Sequence, residues 1–216
     1  DFKANIADID SIRPAFEGID VVLHLAADGG QSSTVGMDGG WETMLQNNII
    51  GAYNVCQVAL EAGVSRVILS SSGATANGYE LHEPYKTLVS TEDLPLPDSW
   101  EMVNEQSEPK PITFYGVTKL FGEDLGRYYA LTTPMSVINL RISSCGPVDE
   151  AGSGRAQANW SSYRDLRQLT IKIIEAPADL KFDIFWATSD NVKLFRDNQH
   201  AKDVLGYAPQ DGVGKA

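Results

Sequence analysis

Two cysteines, three histidines and seventeen basic residues are too few for several kinds of protein at once. Cys56 and Cys145 cannot build a disulfide framework or a thiolate metal cluster, and read as two reduced core thiols of a cytoplasmic protein. His24, His82 and His200 have no metal-site spacing, so no metal is expected. Lys and Arg number 17 against 29 Asp and Glu, a formal charge of −12. That balance disfavours nucleic acid, whose phosphates need a basic face, and it disfavours anionic membrane surfaces. The acid excess suits plain solubility and also adaptation to high salt. No apolar run approaches the length that crosses a bilayer, and no signal peptide opens the chain. There is also no initiator Met, and Asp1-Phe2-Lys3-Ala4-Asn5-Ile6 reads as the end of a strand, as if the chain began in mid-domain.

What is present is a globular composition: 216 residues, 43% hydrophobic and 21% charged. Strand and helix patterns alternate along it. Ile9 to Phe16 has helical spacing with Asp8 as N-cap. Residues 21–26 form a near-continuous apolar run, the mark of a parallel strand covered on both faces. A glycine-rich loop follows from Gly29 to Gly40. Trp41 to Ala62 predicts one long helix with Leu45, Ile49, Tyr53, Cys56 and Leu60 along one face, closed by Gly63. Val67-Ile68-Leu69 predicts a buried strand running into Ser70-Ser71-Ser72. Residues 80–113 hold five of the ten prolines and read as an irregular excursion. Helices are expected at 115–131, 162–175 and 199–205, strands at 136–142 and 182–186, and a loop at 146–159. Such alternation predicts a doubly wound α/β domain.

The chemistry concentrates at Tyr115-Gly116-Val117-Thr118-Lys119. Residues i and i+4 share a helix face, and a neighbouring ammonium lowers a phenol's pKa toward working pH. A tyrosine so placed can take the proton of an alcohol as hydride leaves. Ser70-Ser71-Ser72 sits where open α/β sheets bind ligands, at the carboxyl end of a strand. A hydroxyl there can hold the reacting oxygen; a simple turn leaving the strand accounts for it equally well.

His24-Leu25-Ala26-Ala27, Asn47-Asn48-Ile49-Ile50-Gly51, Ser70-Ser71-Ser72 and Tyr115-x-x-x-Lys119, in that order, resemble the extended short-chain dehydrogenase/reductases, the NAD-dependent epimerase/dehydratase family. Further stretches resemble a subgroup, the uronate dehydrogenases and the archaeal NAD-dependent glucose-6-phosphate dehydrogenases. These are Leu120-Phe121-Gly122-Glu123, Arg141 to Cys145, Arg155 to Asp165, Ser189-Asp190-Asn191 and Val204 to Asp211. The resemblance implies a Rossmann-type domain over residues 1–145, including the excursion 80–113, and a small substrate lobe over 146–216. It implies NAD as cofactor, with NADP left open, and oxidation of a sugar's C1 hydroxyl to the lactone, the sugar being a uronate or a hexose 6-phosphate.

By the same resemblance Tyr115 is the general base and Lys119 its tuner and a ligand of the nicotinamide ribose. Ser71 or Ser72 holds the reacting hydroxyl. Asn47 or Asn48 supports the cofactor and a proton relay. Leu25, Ala26 and Ala27 line the dinucleotide, Asn5 and Ile6 lie at the adenine, and Ile142 touches the nicotinamide. Ser144 and Arg155 meet the sugar, Arg155 through its acidic group, as a guanidinium fork suits carboxylate or phosphate. The family's N-terminal glycine-rich phosphate loop has no counterpart in these residues, so a first βαβ portion is expected upstream. A homodimer over the helices 41–62 and 115–131 is expected from the same source. Two other readings are a nucleotide-sugar 4-epimerase or dehydratase, and a non-catalytic dinucleotide-sensing protein.

Overall fold

A computed structural model describes residues 2–29 and 40–214. Strands β1 (Val21–His24), β2 (Arg66–Ser72), β3 (Ser136–Ile142) and β4 (Phe182–Ala187) form a four-stranded sheet in the order β1-β2-β3-β4. β1 and β2 pair in parallel, with Val22 opposite Val67 and His24 opposite Leu69. The helices are α1 (Ile9–Ile12), α2 (Trp41–Met44), α3 (Gly51–Glu61), α4 (Tyr85–Leu88), α5 (Phe114–Thr132), α6 (Arg155–Asn159), α7 (Tyr163–Ile174) and α8 (Gln199–Leu205). This is the α/β, Rossmann-type arrangement that the alternation predicts.

The chain packs into two compact units that interleave along the sequence. The first comprises residues 1–75, 111–140 and 177–184, the second 76–110, 141–176 and 185–216. The sequence draws one boundary, after Cys145; the second unit takes in residues 76–110, most of the excursion, and residues 111–113 belong to the first. The first unit's core is Ile12, Phe16, Val55, Cys56, Val58, Val67, Leu69, Met135 and Val137 with their neighbours. Each such side chain contributes about 1.5–3 kcal/mol on burial. The second unit has its own core of Tyr85, Leu88, Val103, Ala158, Trp186 and Phe195.

Several local expectations need correction. Residues 2–5 form no strand, because no ladder partner lies beside them among the described residues; Asn5 opens a turn instead. The helix after it does begin at Asp8, whose carboxylate accepts from the Asp10 and Ser11 amides. Pro14 then tightens it into a 3-10 turn over Arg13–Phe16. β1 ends at His24, short of the apolar run's end, and Leu23 is 39% and Leu25 56% exposed.

The long helix 41–62 is not uniform. Its α-helical ends, α2 and α3, are joined by a π turn over Leu45–Ile50. Along it Met44, Asn48, Ala52, Val55, Cys56 and Ala59 are buried and Leu60 packs against the core, while Tyr53 is exposed. The loop expected at 146–159 ends in the short helix α6. Cys56 is a core thiol, pushed up to about 12 by burial, but Cys145 lies just beyond β3 on that loop and is exposed. Most of the glycine-rich loop, residues 30–39, lies outside the described residues.

The tail is fixed by a buried carboxylate. Asp165 on α7 accepts from the Ser189 hydroxyl (2.7 Å) and from the Gln210 and Asp211 amides (2.8 and 3.1 Å). Ser162 caps α7 and donates to Asp211 in turn (2.7 Å). The Ser162 to Asp165 and Gln210-Asp211 stretches are therefore structural closures of the second unit.

Candidate active site

β2 runs straight through the three serines, and α5 supplies a partner for each. Ser70 receives the Lys119 ammonium on its carbonyl (2.8 Å) and on its hydroxyl (3.3 Å). Ser71 is buried and donates to Glu123 Oε1 (2.6 Å). Ser72 hydrogen-bonds the Tyr115 phenol and also accepts from the Ala74 amide (3.2 Å). The two serines left open by the sequence are thus separated: Ser72 faces Tyr115, and Ser71 is committed to a buried carboxyl.

Glycine makes this approach possible. A Cβ at Gly116 would lie 2.5 Å from the Ala74 carbonyl oxygen and 3.1 Å from Pro111. The first turn of α5, capped by Thr113, therefore lies directly on the backbone that follows Ser72. Gly126 does the same farther along, where a Cβ would stand 2.9 Å from Val137 Cγ1. We expect Gly116→Ala to displace Tyr115 and lower kcat by about 10–100-fold, since a shift of order 1 Å at a catalytic group has that effect. Overpacking should also cost about 1–3 kcal/mol. Gly122→Ala on the same helix has open space around its Cβ and should stabilise the fold slightly. Thermal melts and steady-state rates of the pair check this.

Electrostatics departs from the sequence reading in one respect. Burial pushes the Tyr115 phenol up from its ordinary value, while the Ser72 hydrogen bond pulls it down. Lys119 lies 5.4 Å from the centre of the Tyr115 ring, but its ammonium is turned to Ser70. Desolvation of phenolate therefore outweighs the lysine's field. Burial lowers Lys119 itself to about 8. His24 is lowered to about 4, by burial first and by Lys119 second, so it is neutral near pH 7. It lines a cavity of about 20 Å³ with Asn48, Ser70, Lys119 and Asn139, room for a single water. Among the described residues no cluster of His, Cys, Asp and Glu could hold a metal ion.

The residues expected at the cofactor and the sugar do not all fall together. Asn5, Ile6, Ala26, Ala27 and Asn47 line one open cavity of about 620 Å³, together with Ala4, Asp28 and Gly29. That volume and the small alanine side chains suit part of a dinucleotide. Asn48 stands behind this wall. It accepts from the Asp28 amide (2.7 Å) and donates to the Asp28 carbonyl (2.8 Å) and to Thr118 (3.1 Å), pinning the loop after β1 to α5. Leu25 is exposed and lines neither cavity. Ile142, Ser144 and Arg155 belong to the second unit.

In that unit Ser144 pairs by its backbone with Trp160. Arg155 is ion-paired: its Nε donates to Glu80 (2.6 Å) and its Nη2 to Asn77. The sequence reading missed Glu80, at the start of the proline-rich excursion, and Asn77 just before it, with no motif around either. It also missed Gly116, whose role depends on a contact with Ala74. Gly51 and Asn54 hold the Asn5–Ile6 turn: a Cβ on Gly51 would meet Ile6 at 2.7 Å, and Asn54 donates to the Ile6 carbonyl (2.9 Å).

Known proteins share this framework. An NAD-dependent glucose-6-phosphate dehydrogenase of Haloferax volcanii is 34% identical over 97% of this chain and 75% of its own length. An L-arabinose 1-dehydrogenase (NAD(P)(+)) of the same organism is 31% identical over 96% of this chain and 80% of its own. A crystal structure of Agrobacterium tumefaciens uronate dehydrogenase, a tyrosine-to-alanine mutant complexed with NAD, superposes with a TM-score of 0.78 at 27% identity, covering 98% of this chain and 69% of that one. The family model of the NAD dependent epimerases/dehydratases matches residues 2–159. With Ser72, Tyr115 and Lys119 assembled at the end of β2, this chain belongs to the NAD-dependent epimerase/dehydratase family.

Proposed function

We propose that the chain carries the catalytic machinery of an NAD-dependent dehydrogenase that oxidises the C1 hydroxyl of a free cyclic sugar to the lactone. The observation that carries this is the Ser72–Tyr115 hydrogen bond with Lys119 beside the phenol ring. The sugar dehydrogenases among its relatives support the choice of substrate class.

NAD, when bound, supplies the acceptor for the hydride that leaves C1. Asn5, Ile6, Ala26, Ala27 and Asn47 are the residues that would hold it, with Lys119 donating to its ribose. Ser72 donates a hydrogen bond to the substrate oxygen and fixes its direction. Tyr115 accepts the C1 hydroxyl proton on its phenol oxygen, so the C–O bond becomes a carbonyl as hydride departs. Lys119 carries a positive charge below about pH 8 and supports the phenolate through space. Asn48 keeps the loop after β1 in place, which holds the cofactor wall. Ser144 and Arg155 are assigned to the sugar. Exposed Tyr53, Phe121 and Tyr128 on α3 and α5 support a homodimer seam, and a cytoplasmic location belongs to the same proposal. No helix among the described residues is long and apolar enough to cross a membrane.

The test is NADH formation by the enzyme with NAD or NADP and a panel of free sugars, uronates, hexose phosphates and UDP-glucose. Net NADH with a free sugar and a lactone product is the expected result. Tightly bound NAD with no net NADH from any sugar would instead favour an epimerase, in which hydride returns to the substrate.

A further inference from the structure

We infer that Asn139 and His24 are positioning residues: they anchor a single water, bound inside the first unit, that holds the Lys119 ammonium in place. The water site stands on packing within that unit; its part in the reaction rests on the dehydrogenase reading.

Asn139 lies at the middle of β3 and is fully buried. Neither its Nδ2 nor its Oδ1 has a hydrogen-bond partner among the described residues. Buried amides are normally satisfied, and leaving both atoms bare is costly. His24 closes β1, is 9% exposed, and makes no hydrogen bond with a described residue. Lys119 donates to the Ser70 carbonyl (2.8 Å) and hydroxyl (3.3 Å), which uses two of its three ammonium protons.

These three side chains line the same cavity of about 20 Å³. A water needs about 10–15 Å³ of such room and two to four polar partners, so the space takes one molecule. The partners are complementary. Lys119 only donates, Asn139 offers a donor and an acceptor, and neutral His24 offers one of each. Asn48, also on the wall, is already spent on Asp28 and Thr118.

Ser70 restrains the ammonium from β2 alone. The water adds a third bond and solvates a charge that burial disfavours. The titratable groups around Lys119 are His24 across the cavity, and Tyr115 and Glu123 one turn away on α5. β2, β3 and the π turn face the cavity with Ser70, Ser71, Asn139 and Asn48, none of which titrates. Asn139 and His24 touch no reacting atom in this scheme; they act through the water on Lys119.

Two NMR measurements on the isotope-labelled enzyme test this without turnover. Magnetisation transfer from a long-lived water to the Asn139 side-chain amide is expected. The Lys119 Cε resonance gives the lysine's titration midpoint. Asn139→Leu keeps the size but removes both polar atoms, and should move that midpoint down by about one pH unit. His24→Phe should move it the same way. Asn139→Asp keeps an acceptor for the water, adds a charge, and should move it up. In assays at pH 8, Asn139→Leu should lower kcat by about 3–10-fold, with the sugar KM within a few-fold. A dry cavity gives the opposite pattern: no water transfer, a midpoint unmoved in all three variants, and a higher Tm in Asn139→Leu, because an unpaired amide has gone. Any of these overturns the inference and leaves the dehydrogenase reading standing. If Asn139→Leu does not fold, the wild-type water transfer and the Asn139→Asp midpoint decide. The expected NMR results with no NADH from any sugar would strike the dehydrogenase reading and leave the water site standing.

Discussion

Tyr115→Phe should lower kcat by about 10²–10⁴-fold, the contribution of a positioned general base, with little change in melting temperature. The phenol hydroxyl is the group that meets Ser72, and removing it deletes one hydrogen bond while the ring stays packed. The pH dependence gives a second reading of the same group. Oxidation needs Tyr115 to accept a proton, and burial raises its pKa from the ordinary phenol value. The competent phenolate fraction therefore grows with pH, so wild-type kcat should rise between pH 7 and pH 9. The residual rate of Tyr115→Phe should lack that rise. A variant within a few-fold of wild type, with the same pH profile, would remove Tyr115 from the mechanism.

The second large effect separates two adjacent serines. Ser72→Ala should lower kcat by about 10²–10³-fold, as loss of one hydrogen-bond donor to the reacting oxygen does. Ser71→Ala should leave kcat within a few-fold and reduce stability by about 1–3 kcal/mol, because the buried Glu123 carboxyl loses one of its donors. In a chain of this size that is a fall of a few degrees in Tm. Rates and melts measured on both variants check the assignment. The reverse pattern, with Ser71 governing the rate, would mean that the strand end is read in the wrong register.

The family's chemistry depends on residue type and spacing, and both are visible in the chain. Tyr115 and Lys119 are four apart on a helix, and one turn of backbone fixes their shared face whatever surrounds them. The strands at Val21, Arg66, Ser136 and Phe182 announce themselves by apolar runs, and the helices α5, α7 and α8 by periodicity and their caps. These are local properties, and the sequence determines them. The same local rules fail where the outcome depends on a neighbour. The apolar run predicts a strand through Ala26, yet β1 ends at His24. The spacing of Leu45, Ile49, Tyr53, Cys56 and Leu60 predicts one continuous helix face, yet a π turn interrupts the helix over Leu45–Ile50 and Tyr53 is exposed while Cys56 is buried.

The candidate site divides in the same way. Three consecutive serines are equivalent in sequence; they become different only when α5 lies over β2 and offers Lys119, Glu123 and Tyr115 in turn. Gly116 looks like an ordinary helix glycine until the Ala74 carbonyl is found against it. A phenol next to a lysine suggests a lowered pKa, but the sign is set by desolvation, which exists only in the packed state. Arg155 suggests an anion to come. Glu80 lies 75 residues away in the chain, and its meeting with that arginine is a long-range contact no local pattern encodes. The sequence by itself determined the family, the spacing of Tyr115 and Lys119 and the order of the elements, because each is written in short-range spacing. The tertiary structure alone decided which serine faces the phenol and which charges are already paired, because burial and long-range contacts set both.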